Sequence, residues 1–96
     1  MEFDVHKNME KFDSQTGLLR LILILDDARR KGENRIVSEL GRAVGTSNYY
    51  RSLRILQQYG LATKEQEKGR VRVNIVLTDK GIEVAKHLKA IEEILS

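Results

Sequence analysis

The sequence predicts an α+β domain that is mostly helical, in which two short helices and a turn precede a β-hairpin. Three features indicate this class. Residues 47–60 separate into an apolar and a polar face at helical spacing, whereas residues 70–77 alternate between apolar and polar side chains as in a half-buried strand. Between two short amphipathic segments, Gly45 supplies a break that permits a tight turn.

Residues 1–15 are weakly patterned and are compatible with either a short helix or a frayed arm. The helix is suggested by Val5, Met9 and Phe12, which recur at i, i+4 and i+7. The chain has no cysteine, and its two histidines lie far apart, so we expect no metal site and no other cofactor.

Residues 16–31 contain a run of leucine and isoleucine that suits either a buried strand or a helix. The length of the segment, Thr16 as an N-cap and the cations Arg29 and Arg30 before Gly32 favour a helix. The side chains that fill one side of this helix are Leu18, Leu21, Ile22 and Leu25, and those that widen its apolar arc are Leu19, Leu23 and Ile24. A domain this small cannot cover so wide an apolar arc by itself, which predicts that the helix is buried against a second subunit.

Residues 34–60 predict a helix-turn-helix. Asn34 is a suitable N-cap for a helix over residues 35–43, whose inward side chains would be Ile36, Leu40 and Ala43. Gly45 interrupts the helical pattern and permits a turn. Thr46 is then a suitable N-cap for a second helix that starts near Ser47. The alternative is a plain pair of antiparallel helices in an all-helical bundle.

The second of these helices has two distinct faces. Tyr49, Leu53 and Leu56 form a core-facing stripe. The side chains on or beside the opposite face are Ser47, Tyr50, Arg51, Arg54 and Gln58. Guanidinium, hydroxyl and amide groups are donors suited to phosphates and to base edges, although a solvated amphipathic helix would show the same pattern.

A β-hairpin after Gly60 argues against the all-helical alternative. Residues 61–67 are polar and suit an extended strand, and Lys68–Gly69 lies where a tight turn is expected. In residues 70–77 the inward side chains would be Val71, Val73, Ile75 and Leu77, and the outward ones Arg70, Arg72 and Asn74. The tip would carry Lys68 and Arg70, with Lys64 and Arg72 behind it.

Residues 78–96 predict a final helix that Thr78 and Asp79 start by capping and by acidic charge in the first turn. Its 4-3-4 spaced apolar residues are Val84, Leu88, Ile91 and Leu95, while Ile82 and Ala85 lie off that seam. We therefore expect one face to contact the domain and another to contact a partner helix.

Composition and charge narrow the functional classes. The 96 residues suffice for one domain, and the longest apolar run is too short to cross a bilayer, so a cytoplasmic protein is expected. Residues 35–80 hold nine Lys and Arg against four Asp and Glu, which favours a polyanionic partner for the central block. The sequence shows no catalytic cluster, so an enzyme is not expected. The adjacent acidic residues Asp26 and Asp27 point in different directions on a helix, and we interpret them as solvated charges.

Two motifs in combination resemble a known family. The segment IVSELGRAVGTSNYYRSLRILQQYGL, from Ile36 to Leu61, and LTDKG, from Leu77 to Gly81, resemble winged helix-turn-helix proteins of the MarR or ArsR sort, especially small archaeal and viral members. The resemblance covers residues 16–95. It implies a two-stranded wing and flanking N- and C-terminal helices that hold a dimer; the dimer contacts expected are Leu19, Leu23, Val84, Leu88, Ile91 and Leu95.

The leading hypothesis is a homodimeric transcriptional regulator that binds double-stranded DNA sequence-specifically, with the helix at residues 47–59 in the major groove. The residues expected at DNA are Ser47, Asn48, Tyr50, Arg51, Arg54 and Gln58 on the helix and Lys68, Arg70 and Arg72 on the wing. The alternative is a winged helix that serves as a protein-interaction or assembly module. Many proteins of this resemblance bind a small effector near the dimer interface, but no residue here identifies such a pocket.

Overall fold

A computed structural model describes residues 6–32, 42, 45–66 and 73–96. Within these ranges the helices are α1 (Lys7–Asp13), α2 (Leu18–Arg30), α3 (Thr46–Gln58) and α4 (Asp79–Leu95), and the strands are β1 (Ala62–Gln66) and β2 (Val73–Leu77). This architecture confirms the mostly helical α+β class with a two-stranded antiparallel hairpin. The predicted helix over 35–43, apart from the exposed Arg42, and the tip with Lys68, Arg70 and Arg72 lie outside the described residues.

Glycines, rather than threonines, occupy the N-cap positions of α2 and α3. Gly17 has φ = 83° and Gly45 has φ = 86°, a region that a β-branched residue enters only at a steric cost. Thr16 therefore precedes the cap of α2, and Thr46 is the first residue of α3. The prediction of threonine caps at these two positions was wrong, because the entering chain turns through a left-handed or extended positive-φ conformation.

The core is built from the apolar stripes of α2 and α3. The α2 stripe that the sequence predicted is buried and consists of Leu18, Leu21, Ile22 and Leu25; the α3 stripe is also buried and consists of Tyr49, Leu53 and Leu56. Leu61, Ile75, Leu77 and Ala85 close the cluster from the hairpin and from α4. Each large side chain buried here contributes about 1.5–3 kcal/mol relative to exposure, so α3 is held to the domain by its inner face.

The hairpin pairs β1 and β2 in an antiparallel register that places Glu65 opposite Asn74 and Lys64 opposite Ile75. Ile75 and Leu77 are buried as predicted, but Asn74 is buried too, at 5% exposure, and has an interaction partner. The expectation that Asn74 faces solvent was wrong. Neighbouring strand residues point to opposite faces, so both faces of β2 are covered here, and a period of two cannot reveal that.

The end of α3 is fastened to the start of α4 by a short hydrogen-bonded junction. The Thr78 hydroxyl donates to the Gly60 carbonyl at 2.6 Å and accepts from the Gly81 N–H at 3.1 Å, which confirms Thr78 as the N-cap of α4. The Thr78 N–H donates to the Leu61 carbonyl at 3.0 Å. Gly60 and Leu61, which end the first motif, therefore meet the LTDKG motif in space, and this contact gives the joint occurrence of the two motifs a structural reason.

The buried carboxylate of Asp26 joins α2 to α4 through a cluster of ion pairs. The Asp26 side chain is 2% exposed, and its carboxylate lies 2.9 Å from Arg29 Nη2, 3.3 Å from Arg30 Nε and 2.8 Å from Lys89 Nζ. Lys89 also contacts Asp27 Oδ1 at 2.8 Å. The prediction of solvated charges holds for exposed Asp27 but was wrong for Asp26, because Lys89 and the packing of α4 against α2 remove that carboxylate from water.

Replacing Asp26 by asparagine is expected to lower the free energy of unfolding by about 1–3 kcal/mol at neutral pH, since charge-assisted hydrogen bonds are lost. Burial opposes ionisation of Asp26, but the hydrogen bonds from Lys89 and Arg29 outweigh it and lower its pKa from the usual 3.8. A group with a depressed folded-state pKa stabilises fully above its unfolded pKa and loses that contribution as pH falls through the folded value.

The difference between wild type and Asp26→Asn in urea unfolding should therefore be constant above about pH 5 and shrink as the pH falls below about 4. Lys89 stays charged throughout this range, since a lysine is charged far above it and the hydrogen bonds to Asp26 and Asp27 raise the pKa of Lys89 further. Asp27→Asn, at an exposed carboxylate, is the matched control and should show a smaller difference at each pH. A difference that does not depend on pH would contradict the ionised state of Asp26.

Helix α1 confirms the helical alternative for the N-terminal segment between Lys7 and Asp13. Its Phe12 ring packs edge-on against Tyr59, with ring centroids 5.1 Å apart, and the Tyr59 hydroxyl donates to Asn8 Oδ1 at 3.1 Å. These contacts place α1 beside the C-terminal end of α3. In the part of the chain that the structure describes, no helix is long and apolar enough to cross a membrane.

Candidate nucleic-acid interface

The outer face of α3 carries a row of exposed polar side chains. Ser47, Arg51, Arg54 and Gln58 are all exposed, and Tyr50 is exposed beside them. From the first to the last of the row the helix rises by about 16 Å, at 1.5 Å per residue. The separation of faces predicted for this helix is confirmed. The row can donate hydrogen bonds from two guanidinium groups, a hydroxyl and an amide to phosphate oxygens or base edges.

The inner face of α3 keeps this row turned outward. Tyr49 is fully buried and packs edge-on against the ring of Tyr50, with centroids 5.3 Å apart. Burial, with a smaller effect of the nearby Tyr50, raises the pKa of Tyr49 to about 12, so its phenol is neutral at physiological pH. Sequence reasoning missed Ser52 and Ile55, which are also buried on this helix. Among the described residues, neither the Tyr49 nor the Ser52 hydroxyl has a hydrogen-bond partner.

The first turn of α3 is less open than the helical pattern predicted. Asn48 is half-buried and has an interaction partner. Its backbone carbonyl accepts a long hydrogen bond, 3.5 Å, from Gln15 Nε2 in the loop between α1 and α2. The backbone N–H groups of a first helical turn lack intrahelical acceptors, and Ser47 stands exposed among them. Of Ser47 and Asn48, both expected to contact DNA, Ser47 is therefore the more accessible.

The hairpin adds one described cation. Lys64 is exposed on β1, as expected for a residue behind the hairpin tip. The three tip cations expected to contact DNA lie outside the described residues, so their placement stays a prediction.

A second surface is apolar and involves α2 and α4. Of the six predicted dimer contacts, Leu19, Ile91 and Leu95 are exposed, Ile91 by 51% and Leu95 by 77%. The other three are partly buried, and they are Leu23, Val84 and Leu88. Sequence reasoning missed Ile94, which is 80% exposed and lies one residue off the 4-3-4 seam. An apolar side chain in the last turn of the final helix could have indicated this exposed contact from the sequence.

An open apolar groove continues this surface between α1, α2 and α4. It has a volume of about 450 Å³, and its lining includes Met9, Phe12, Leu19, Leu88 and Ile91. The groove and the exposed end of α4 form one apolar strip through their shared Ile91. A strip of this kind is unusual on an isolated small domain and is typical of a surface that binds another protein chain.

Comparison with solved structures places this fold among known ones. Protein AF1382 of Archaeoglobus fulgidus superposes with a TM-score of 0.73 at 20% identity over 82% of this chain and 87% of that one. A reported archaeal mechanosensitive channel, a structural homologue of MarR-like transcriptional regulators, gives 0.70 at 25% identity over 92% of this chain and 74% of that one. A MepR mutant from S. aureus gives 0.70 at 19% identity, covering 93% of this chain and 64% of its own.

The similarity to these proteins extends over nearly the whole chain, and it lies in the structure rather than in the amino-acid sequence. No protein-family model matches the sequence, and no curated protein matches it at a significant level. The structural neighbours are winged-helix proteins of the MarR-like group. The chain therefore has the winged-helix fold seen in MarR-like transcriptional regulators, as the resemblance of its motifs predicted.

Proposed function

We propose that the chain is a transcriptional regulator that binds double-stranded DNA as a homodimer and inserts α3 into the major groove. The observation that carries the proposal is the exposed polar row of α3, with Arg51 and Arg54 on the face opposite the buried Tyr49 and Leu53. Helices of this fold that read DNA present such a row to base edges while their apolar face holds them to the domain. The structural neighbour described as a homologue of MarR-like transcriptional regulators supports the same function.

The proposed contacts follow from donor chemistry and exposure. Arg51 and Arg54 are suited to guanine or to phosphate, because bidentate arginine to guanine O6 and N7 is the commonest specific pairing. Ser47 and the exposed N–H groups of the first turn, with Asn48 beside them, are assigned to a phosphate. The less central contacts are Tyr50 and Gln58 on α3 and Lys68, Arg70 and Arg72 on the wing, which would reach the backbone or the minor groove.

The apolar strip supports the homodimer. Ile91, Ile94 and Leu95 are exposed apolar residues at the end of α4, and Leu19 extends the same kind of surface onto α2. A twofold axis near these residues would bury them twice, once from each protomer. It would also present two copies of α3 on one side of the assembly, about 34 Å apart for half-sites one helical turn apart.

Replacing Ile91 by lysine is expected to weaken the dimer at least tenfold, because a charge at a desolvated contact costs more than about 1.4 kcal/mol. Ile91 is half exposed in the protomer, so the fold should persist. Sedimentation equilibrium and circular dichroism measure the two properties separately. Lys86→Ala, at an exposed position of the same helix, is the control. A dimer of unchanged stability in Ile91→Lys would contradict the proposed interface.

Selection of binding sites from random duplexes tests the function as a whole. The proposal predicts enrichment of a twofold-symmetric sequence whose half-sites lie about one helical turn apart, roughly 10 base pairs. Hydroxyl-radical footprinting of the enriched duplex should show two protected patches with the same spacing. If no sequence is enriched and no duplex is retained, the alternative of a protein-interaction module becomes the better account.

A further inference from the structure

Besides its apolar packing on the core, helix α4 is attached to the rest of the domain by polar contacts at two separate places. The first is its N-cap, where Thr78 bonds to Gly60 and Leu61 at the end of α3. The second is Lys89, whose Nζ lies 2.8 Å from Asp26 Oδ2 and 2.8 Å from Asp27 Oδ1 of α2. Lys89 lies eleven positions after Thr78, which is about 16 Å along the helix axis. Together with the apolar packing of Ala85 in the core, two polar attachments at that distance fix the direction of the helix more firmly than the N-cap alone would.

The Lys89 attachment differs from the other ion pairs of α4. The Lys89 side chain is 22% exposed and meets a carboxylate that is 2% exposed. Lys86, three residues earlier, is 66% exposed and lies 3.9 Å from an exposed Glu83. Exposed pairs contribute little because water screens them, whereas a shielded pair holds its geometry more strongly.

Asp26 is itself held in place by its own helix. Its Oδ1 accepts from Arg29 Nη2 at 2.9 Å, and its Oδ2 lies 3.3 Å from Arg30 Nε. The carboxylate therefore presents Oδ2 to Lys89 from a fixed position, and the ammonium cannot move without losing a bond to α2. Within the described residues, this cluster is where charged side chains of α2 and α4 meet.

We propose that Lys89 is a positioning residue: by bonding to Asp26 it sets the angle between α4 and the α2–α3 unit, and thereby the separation of the two α3 helices in the dimer. The inference rests on the proposed dimeric function. A rotation of α4 by about 10° about its N-cap would move the end of this helix, about 25 Å long, by roughly 4 Å. That displacement is comparable to one base-pair step, about 3.4 Å.

The distance between the two α3 helices can be measured without DNA. The chain contains no cysteine, so Gln57→Cys on the exposed side of α3 gives one spin-label site per protomer. Pulsed electron paramagnetic resonance on the labelled dimer should give a narrow distance distribution in wild type. Lys89→Met should broaden or shift it by roughly 4 Å. Lys89→Arg, which keeps the charge, and Lys86→Met, at the exposed pair, should leave it narrow.

The same variants predict a change in DNA spacing. Wild type, Lys89→Arg and Lys86→Met should prefer the selected half-site spacing over spacings one base pair longer or shorter by at least about tenfold, whereas Lys89→Met should reduce that preference to about threefold or less. If Lys89→Met does not fold, Lys89→Gln, which keeps a hydrogen-bond donor without the charge, takes its place.

The outcomes separate this inference from the proposed function. An unchanged distance distribution in Lys89→Met, or in Lys89→Gln where that variant replaces it, would overturn the positioning role, and so would the absence of a dimer. A loss of affinity that is equal at all spacings would overturn it as well, because it would show a contribution to stability alone. A broadened distribution in a dimer that binds no duplex would instead support the positioning role while contradicting the DNA-binding function.

Discussion

Replacing Gly81 by alanine is expected to destabilise the domain by about 3 kcal/mol, at the upper end of the range for overpacked sites. A Cβ at this position would collide with the Leu61 carbonyl oxygen, and it would lie 3.0 Å from the Leu61 carbonyl carbon and 3.1 Å from Leu77 Cδ2. Backbone atoms cannot yield as a flexible side-chain end can. The whole junction between α3 and α4 would have to open.

The sign of this effect distinguishes tertiary packing from helix propensity. Alanine is favoured over glycine inside a helix by about 1 kcal/mol, so a position without the close contact would be stabilised. Guanidinium unfolding monitored by circular dichroism measures the change. Lys80→Ala, at the exposed neighbouring position, is the control and should change stability by less than about 0.5 kcal/mol. A Gly81→Ala domain as stable as wild type would contradict the packing of Leu61 against α4.

Replacing both Arg51 and Arg54 by alanine is expected to reduce affinity for the selected duplex by about 100-fold or more. Each arginine contributes about 1–3 kcal/mol if it contacts a base, and less if it contacts a phosphate alone. Both side chains are exposed, so the fold should be unaffected. A mobility-shift titration at low salt measures the loss, and the single variants show which arginine reads sequence, because a lost base contact also relaxes specificity at one position.

Lys86→Ala is the matched control for charge, since it removes exposed positive charge from α4 rather than from α3. We expect it to change affinity by less than about threefold, through long-range electrostatics only. An arginine double variant that binds as tightly as wild type would show that α3 does not form the DNA-binding surface.

The faces of α3 could be predicted because helical periodicity determines which side chains lie together. Tyr49, Leu53 and Leu56 are spaced to form one stripe, so burial of that stripe forces Arg51 and Arg54 outward. The interior of α2 and the cap at Thr78 followed from equally local patterns. Such features depend on residues within a few positions of one another, and local sequence contains that information.

The features that sequence reasoning missed depend on distant partners. The carboxylate of Asp26 is buried because Lys89, 63 positions further along the chain, lies against it. Asn48 is half-buried where Gln15 of the α1–α2 loop approaches it, and Asn74 is buried because both faces of its strand are covered. No periodicity within one element reports a contact of this kind.

The salt dependence of duplex affinity tests most directly whether the cationic face of α3 binds a nucleic-acid polyanion, as we propose. Between about 50 and about 200 mM salt, the logarithm of the association constant should fall linearly with the logarithm of salt concentration. The slope of this plot should be roughly −1 for each phosphate that the protein contacts. The Arg51/Arg54 double variant should show a shallower line. No retained duplex at the lowest salt, or an affinity that does not change with salt, would contradict the claim.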